Sequence, residues 1–309
     1  MSGASVETFN RQRGQLMALG YRMLGSLSEA EDMVQETYLR WQEAKPEEVE
    51  NPKAWLTKVC SRLCIDQLRK VSRQREEYVG PWLPEPLPNA FRPWDESDQQ
   101  IETSESLSIA FLLILEKLSP MERAVFLLHD VFNYSFKEVA DLVEGNEEQC
   151  RKLGQRAREA IQRERPRFDR PDAESFKILE RFFSAARNGE EAKLHELLAA
   201  NSEFWSDGGG KVAAATKVLD DPAKIAKFLL GLSRLAKQQH LVFKSDFTMV
   251  NNRPGMLIAR QQPDGHYELE MVFSFEFSSG KISRIYAMRN PDKLQAWRGS
   301  SPAPGSLAE

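Results

Sequence analysis

Pro81, Pro84, Pro86, Pro88 and Pro93 interrupt the chain within one short stretch. A proline inside a helix loses a backbone hydrogen bond and clashes with the turn before it. No helix therefore runs through this stretch, and closely spaced prolines keep it extended and stiff. Both flanks read as helix. The chain thus divides into a helical domain over 5–78, a Pro-rich linker over 79–100 and a second helical domain over 101–168. Trp82 and Trp94 stand in the linker, where an exposed indole would be a sticky apolar surface, so a partner is expected for it.

In the first block apolar residues recur at three and four: Leu16, Leu19, Met23, then Met33, Val34, Tyr38 and Trp41. Ser28 with Glu31 reads as a capping box. Pro46 and Asn51-Pro52 punctuate the pattern, and Pro52 suits the first turn of a helix carrying Trp55, Val59, Leu63 and Leu68. In the second block Leu107, Phe111, Leu112, Leu115 and Leu118 form one stripe, and Ser119-Pro120 opens a helix with Val125, Phe126 and Leu128. A short helix around Val139, a turn at Glu144-Gly145-Asn146 and a basic helix to Arg163 make the helix-turn-helix pattern, with Asn146 as N-cap and Pro166 as stop.

From Asp172 the pattern becomes α+β. Phe176, Leu179, Phe182 and Phe183 mark one helix; Leu194, Leu197 and Leu198 mark another; 222–237 is a third. Stretches 241–250, 255–262, 267–277 and 281–288 alternate like antiparallel strands, with turns at Pro263-Asp264-Gly265 and Ser278-Ser279-Gly280. This third domain covers 172–297. The Pro/Gly/Ser-rich tail, 298–309, is expected to be disordered.

Charge is segregated. Net charge is −4, yet Lys53, Lys58, Arg62, Arg69, Lys70, Arg73 and Arg75 share a segment in which Asp66 is the one acid. Arg151, Lys152, Arg156, Arg158, Arg163, Arg165, Arg167 and Arg170 form a second basic cluster. Glu29, Glu31, Asp32, Glu36, Glu43, Glu47, Glu48 and Glu50 form an acidic one. Two basic faces and one acidic face suggest several partners, although any one run also reads as a solvated helix face. Cys60, Cys64 and Cys150 read as structural thiols, and His129, His195, His240 and His266 are scattered, so no metal and no cofactor is expected. No apolar run is long enough to span a membrane, and the N-terminus lacks a secretion core, so a cytoplasmic protein is expected.

The blocks in this order resemble the sigma-70 family of transcription initiation factors. The run from Glu29 through Asp32, Met33, Gln35, Glu36 and Leu39 to Arg40 resembles the region 2 helix that binds the RNA polymerase clamp. Ala54-Trp55-Leu56 through Asp66-Gln67-Leu68-Arg69-Lys70 resembles the segment that melts and reads the −10 element. The helix-turn-helix resembles region 4, which reads −35. With no large region 3 between them, the arrangement is that of extracytoplasmic-function factors. A narrower likeness is to the SigJ-like subgroup with a SnoaL-like C-terminal extension. It rests on Trp82-Leu83-Pro84-Glu85-Pro86, Asp207-Gly208-Gly209-Gly210-Lys211 and Asn290-Pro291-Asp292-Lys293-Leu294. It implies two all-α sigma domains plus an α+β cone of the nuclear-transport-factor-2 type that regulates them.

The resemblance implies core RNA polymerase and promoter DNA as partners and assigns roles. Asp32, Met33, Gln35, Glu36 and Leu39 would meet polymerase; the alternative is an ordinary amphipathic helix. Trp55, Lys58, Arg62, Asp66, Arg69 and Lys70 would stack bases or hold phosphates at −10, with Trp55 also readable as core. Glu148, Gln149, Arg151, Lys152 and Gln155 would face the −35 groove, while Arg156 and Arg158 hold phosphate. The glycine loop lacks phosphate-loop spacing; it reads as a docking loop for the linker, with Lys211 set against Glu85, or as a hairpin tip. Asp207, Asp246, Glu268, His195 and His240 are raw material for acid–base chemistry, and a small-molecule ligand in the C-terminal domain is a further expectation. A non-enzymatic sigma factor is the preferred reading; a DNA-binding module tethered to an enzyme or sensor domain, or a plain repressor, are the others.

Overall fold

The computed structural model describes residues 3–88, 106–164 and 168–297. The end of the expected linker with Trp94, the Arg73 side chain, Arg165, Arg167 and the tail 298–309 lie outside the described residues. The described residues form two compact units: 3–77 with 106–164, and 78–88 with 168–297.

The first unit is all helix. Its elements are α1 (Gly3–Leu24), α2 (Leu27–Glu43), α3 (Pro52–Glu76), α4 (Ile109–Leu115), α5 (Pro120–Phe126), α6 (Phe136–Val143) and α7 (Glu147–Glu164). α1, α2 and α3 pack Leu16, Leu19, Met23, Val34, Trp41, Leu56 and Leu68 into a common core. Cys60 and Cys64 are buried there as free thiols. Hydrogen bonding from Cys60, then burial, holds the Cys64 thiol well above its ordinary range, so it packs as a neutral group. The cap of α2 is Ser26, not Ser28: Ser26 Oγ accepts from Glu29 N at 3.4 Å. The reason is Leu27, which is buried and must open the helix to reach the core. Ser119 and Ser135 form full capping boxes with Glu122 and Glu138, and Asn146 Oδ1 caps α7 through Gln149 N at 2.8 Å.

Arg123 of α5 ties this unit together. Its guanidinium donates to Leu115 O at 2.8 Å, to Met23 O at 2.6 Å and to Glu116 Oε1 at 2.8 Å. Burial lowers its pKa to about 9, so it stays charged at neutral pH, and Glu116 offsets that charge. Glu116 also pairs with Arg75, whose guanidinium reaches Leu24 O at 2.8 Å. Two carbonyls at the end of α1 are thereby held, Met23 O directly from the second helical block and Leu24 O by an arginine that pairs with that block's Glu116.

The second unit contains α8 (Ala173–Asn188), α9 (Glu191–Leu197), β1 (Leu198–Asp207), α10 (Pro222–Gln238), β2 (Phe243–Val250), β3 (Arg253–Gln261), β4 (Tyr267–Ser278), β5 (Lys281–Met288) and a 3-10 helix at Pro291–Trp297. The sheet order is β1-β5-β4-β3-β2. The four expected strands form an antiparallel meander. β1 was not expected: Leu198 opens a strand rather than ending a helix, and β1 joins β5 in parallel. Asn201, Ser202, Glu203 and Ser206 hide its apolar alternation.

Both sheet faces are covered. On one, Leu179, Phe182, Leu194, Ile225 and Leu230 of the helices pack on Phe204, Met256, Phe273, Phe275 and Ile285. The other carries Val272, Ser274 and Glu276 of β4 beside Met288, Tyr286 and Arg284 of β5 and, beyond these, Asp207, Trp205 and Glu203 of β1. Residues 81–88 run along this side, from Asp207 on one edge strand to Val250 on the other, where Pro88 makes an isolated bridge. Asn251, in the β2–β3 turn, exchanges hydrogen bonds with Leu87: Leu87 N to Asn251 Oδ1 at 2.8 Å and Asn251 N to Leu87 O at 3.0 Å.

Arg123→Met leaves two carbonyls and a carboxylate without their shared donor. Loss of one partner of a buried ion pair costs about 3–5 kcal/mol, so the urea midpoint of the helical unit is expected to fall sharply. An unchanged midpoint would mean that Arg123 does not tie the blocks together.

Candidate functional site

On α2, Val34, Thr37 and Trp41 point into the core, which turns Asp32, Gln35 and Leu39 outward. Leu39 is an exposed apolar side chain on an acidic helix. Met33 and Glu36 are half-buried, and Glu36 accepts from Arg40 at 2.9 Å.

On α3, Trp55 is half-buried and tilts onto Trp41 with centroids 5.4 Å apart. Lys58 and Arg62, one turn apart, converge on one atom, Glu144 Oε1, at 3.1 and 2.8 Å. Asp66 pairs with Arg69 at 2.9 Å, and Lys70 is exposed. These pairs are solvent-accessible and each is worth only about 0.2–1 kcal/mol. Glu144 was not singled out from sequence, where it reads as one residue of a turn.

On α7, Cys150, Gly154, Ala157 and Ile161 face inward, leaving Glu148, Gln149, Arg151, Lys152, Gln155 and Arg156 exposed in a row. Gly154 has a packing reason: a β-carbon there would press on the Phe136 ring of α6 at 3.1 Å. Arg151 and Lys152 pair with Glu147 and Glu148 one turn back. Arg158 departs from the row: it is half-buried, bonded to Asp130 at 2.7 Å and stacked over Phe136.

In the C-terminal unit the residues from three separate motifs meet. Asp207 is fully buried at the end of β1. Its Oδ1 accepts from Tyr78 OH at 2.6 Å and Gly209 N at 2.9 Å; its Oδ2 accepts from Leu83 N at 2.9 Å and Lys293 Nζ at 2.7 Å. All the acceptor capacity of this carboxylate is used, so it is not poised as a free base. Lys293 Nζ also donates to Leu83 O at 2.6 Å and lies 4.4 Å from the centroid of Trp82 and 5.1 Å from that of Tyr78. Asn290 Nδ2 donates to Tyr78 OH at 3.0 Å. Burial and then Asp207 push the Tyr78 phenol above its ordinary pKa. Leu83, Pro84, Glu85, Pro86 and Leu294 are buried, and Trp297 Nε1 donates to Pro86 O at 2.8 Å.

Gly208, Gly209 and Gly210 form a tight turn, with Gly209 and Gly210 at φ of +60° and +69°. A side chain at Gly209 would overlap Asn290. Lys211 pairs with Asp292 at 2.5 Å instead of the expected Glu85, because Glu85 is buried on the strap while Lys211 is on the exposed side of the turn; Pro291 is exposed next to Asp292. Tyr78, Asn251 and Trp297 were missed as site residues. Tyr78 beside a proline-rich stretch was the available signal; Asn251 offered none.

The sequence was compared with known proteins. Residues 8–74 match the Sigma-70 region 2 family and residues 108–161 the Sigma-70 region 4 family; these spans take in all but the last residues of α3 and of α7. The ECF RNA polymerase sigma factor SigJ of Mycobacterium tuberculosis is 32% identical over 94% of this chain and 93% of its own. A probable ECF RNA polymerase sigma factor, SigI, of the same species is 30% identical over 93% of each chain. The crystal structure of SigJ aligns with a TM-score of 0.72 at 30% identity, covering 94% of this chain and 98% of that one. Among the described residues no helix is long and apolar enough to cross a membrane. With both sigma regions matched and relatives aligned along nearly its whole length, this chain belongs to the extracytoplasmic-function family of sigma factors, alternative factors for transcription initiation.

Proposed function

We propose that the exposed faces divide the work of initiation on core RNA polymerase and promoter DNA. The acidic, Leu39-bearing face of α2 binds the polymerase. The basic face of α3 holds the −10 DNA, with Lys58, Arg62, Arg69 and Lys70 on phosphate and Trp55, braced by Trp41, at its apolar border. The row on α7 enters the major groove at −35, where Gln149, Arg151, Lys152 and Gln155 carry the donors that read base edges. Arg158 serves instead to fix α7 against Phe136 and Asp130. The observation that carries this reading is the row on α7: six polar side chains exposed together on the second helix of a capped helix-turn-helix. Promoter-specific transcription with sigma-free core polymerase tests it; no transcript above core alone sinks it.

We further propose that the C-terminal unit regulates the factor by gripping residues 78–88, part of the segment that joins region 2 to region 4. Asp207 and Lys293 are the grip. The segment is held by Tyr78 and Leu83 on the Asp207 carboxylate, by Lys293 on Leu83 O and by the burial of Leu83 and Leu87.

Three outcomes are expected. Asp32→Lys with Glu36→Lys lowers retention on immobilised core polymerase at least tenfold while the circular dichroism spectrum is kept; equal retention removes α2 from the polymerase interface. Arg69→Ala with Lys70→Ala reduces permanganate-reactive opening by the holoenzyme, whereas Arg151→Ala costs about 1–3 kcal/mol of promoter-specific duplex binding; identical defects from the two would contradict the division. Trp82→Ala and Gly209→Asp each change transcription, and together change it less than additively because both loosen one contact; strict additivity would separate the glycine turn from the strap.

A further inference from the structure

Region 4 reaches region 2 from both ends of α6, and at the far end it meets residues of α3 that the reading above assigns to DNA. Before α6, the Tyr134 hydroxyl meets Thr57 Oγ1 at 3.3 Å and Gln15 Nε2 at 3.2 Å, and Lys53 Nζ sits 5.9 Å from its ring centroid. After α6, Glu144 receives Lys58 and Arg62 on a single carboxylate oxygen. Lys53 and Thr57 stand one turn apart on one side of α3, and Lys58 and Arg62 one turn apart on another. The second pair belongs to the face assigned to DNA, and its partner is a carboxylate, the group with which a protein imitates a phosphate.

The backbone at Glu144 points the same way. It holds a left-handed conformation, φ 54° and ψ 44°, at the end of α6. Glycine or asparagine is ordinary at that position, and other side chains adopt it at a cost. Gly145 follows immediately, so the flexible residue stands one place beyond the strained one.

We propose that α6 with Glu144 is an autoinhibitory cover over the −10 face of region 2, with Glu144 occupying the site of a DNA phosphate between Lys58 and Arg62. This rests on the assignment of α3 to DNA. The recognition row of α7 stays exposed in the same state, so the covered factor presents its −35 surface while its −10 surface is shut. Because the Glu144 pairs are half exposed, salt and polyanions compete for them, and separation of regions 2 and 4 opens the face.

The test uses the full chain with dyes on cysteines placed at Glu43 and Gln162, both exposed, since the three native cysteines are buried. Glu144→Gln and Glu144→Lys are compared with the unaltered chain by single-molecule energy transfer. Binding is read with a fluorescent single strand carrying the non-template −10 segment of a promoter that the holoenzyme opens. Both variants are expected to shift the population toward low transfer and to bind the strand about threefold to tenfold tighter, with Glu144→Gln excluding a mere gain of positive charge. Thermal unfolding checks that both remain folded. Unchanged transfer in both variants overturns the cover, even if Glu144→Lys binds more tightly. Normal promoter opening by a Lys58→Ala, Arg62→Ala holoenzyme overturns the assignment of α3 beneath it, and is read independently.

Discussion

A five-stranded sheet with apolar side chains on both faces needs two covers, and the C-terminal unit has helices enough for only one. Leu257, Val272 and Met288 of the second face are buried, and the chain that helps bury them comes from before the helix-turn-helix. Prolines suit that task. Their fixed backbone angle means little entropy is lost when the segment is laid down, and they present no N–H that would then be stranded. The N–H groups of Leu83 and Leu87 are met by Asp207 and Asn251 at opposite edges of the sheet. The unit's fold and its hold on the linker are therefore one interaction seen from two sides.

The helical unit is organised differently. Its durable contacts between blocks centre on two guanidinium groups, that of Arg123 on Met23 O and that of Arg75 on Glu116. Its contacts between α3 and Glu144 are exposed and ionic. Buried pairs resist removal of either partner, whereas exposed ones are weak and screened. The first set keeps the unit compact, and the second is the set that a charged competitor displaces.

Much of this was legible in the sequence, for identifiable reasons. The helix-turn-helix has strong local signals: two serine capping boxes, an asparagine cap and inward small residues on α7. The four meander strands showed because turn residues at Gly265 and Gly280 demand positive φ. β1 was hidden by polar residues that a parallel edge strand tolerates, and the α2 cap was displaced by the burial of Leu27. The family resemblance pointed to the three short motifs, but their meeting on Asp207, the part of Tyr78 and the Lys211–Asp292 pair were not legible, since which of several charges meet is decided by tertiary placement. Glu144 was invisible because nothing local distinguishes a turn glutamate that finds two cations far along the chain.

The strap has a topological property of its own. Residues 78–88 belong with a sheet whose last pieces, β5 and the helix ending at Trp297, are synthesised some two hundred residues later. At ordinary rates of translation that gap is about 10–40 s. A nascent factor thus spends its early life with both helical regions made and the strap unclaimed, and the strap can be covered only after the chain up to Trp297 has been made. Newly made and mature molecules of one sequence are, for that interval, differently restrained proteins.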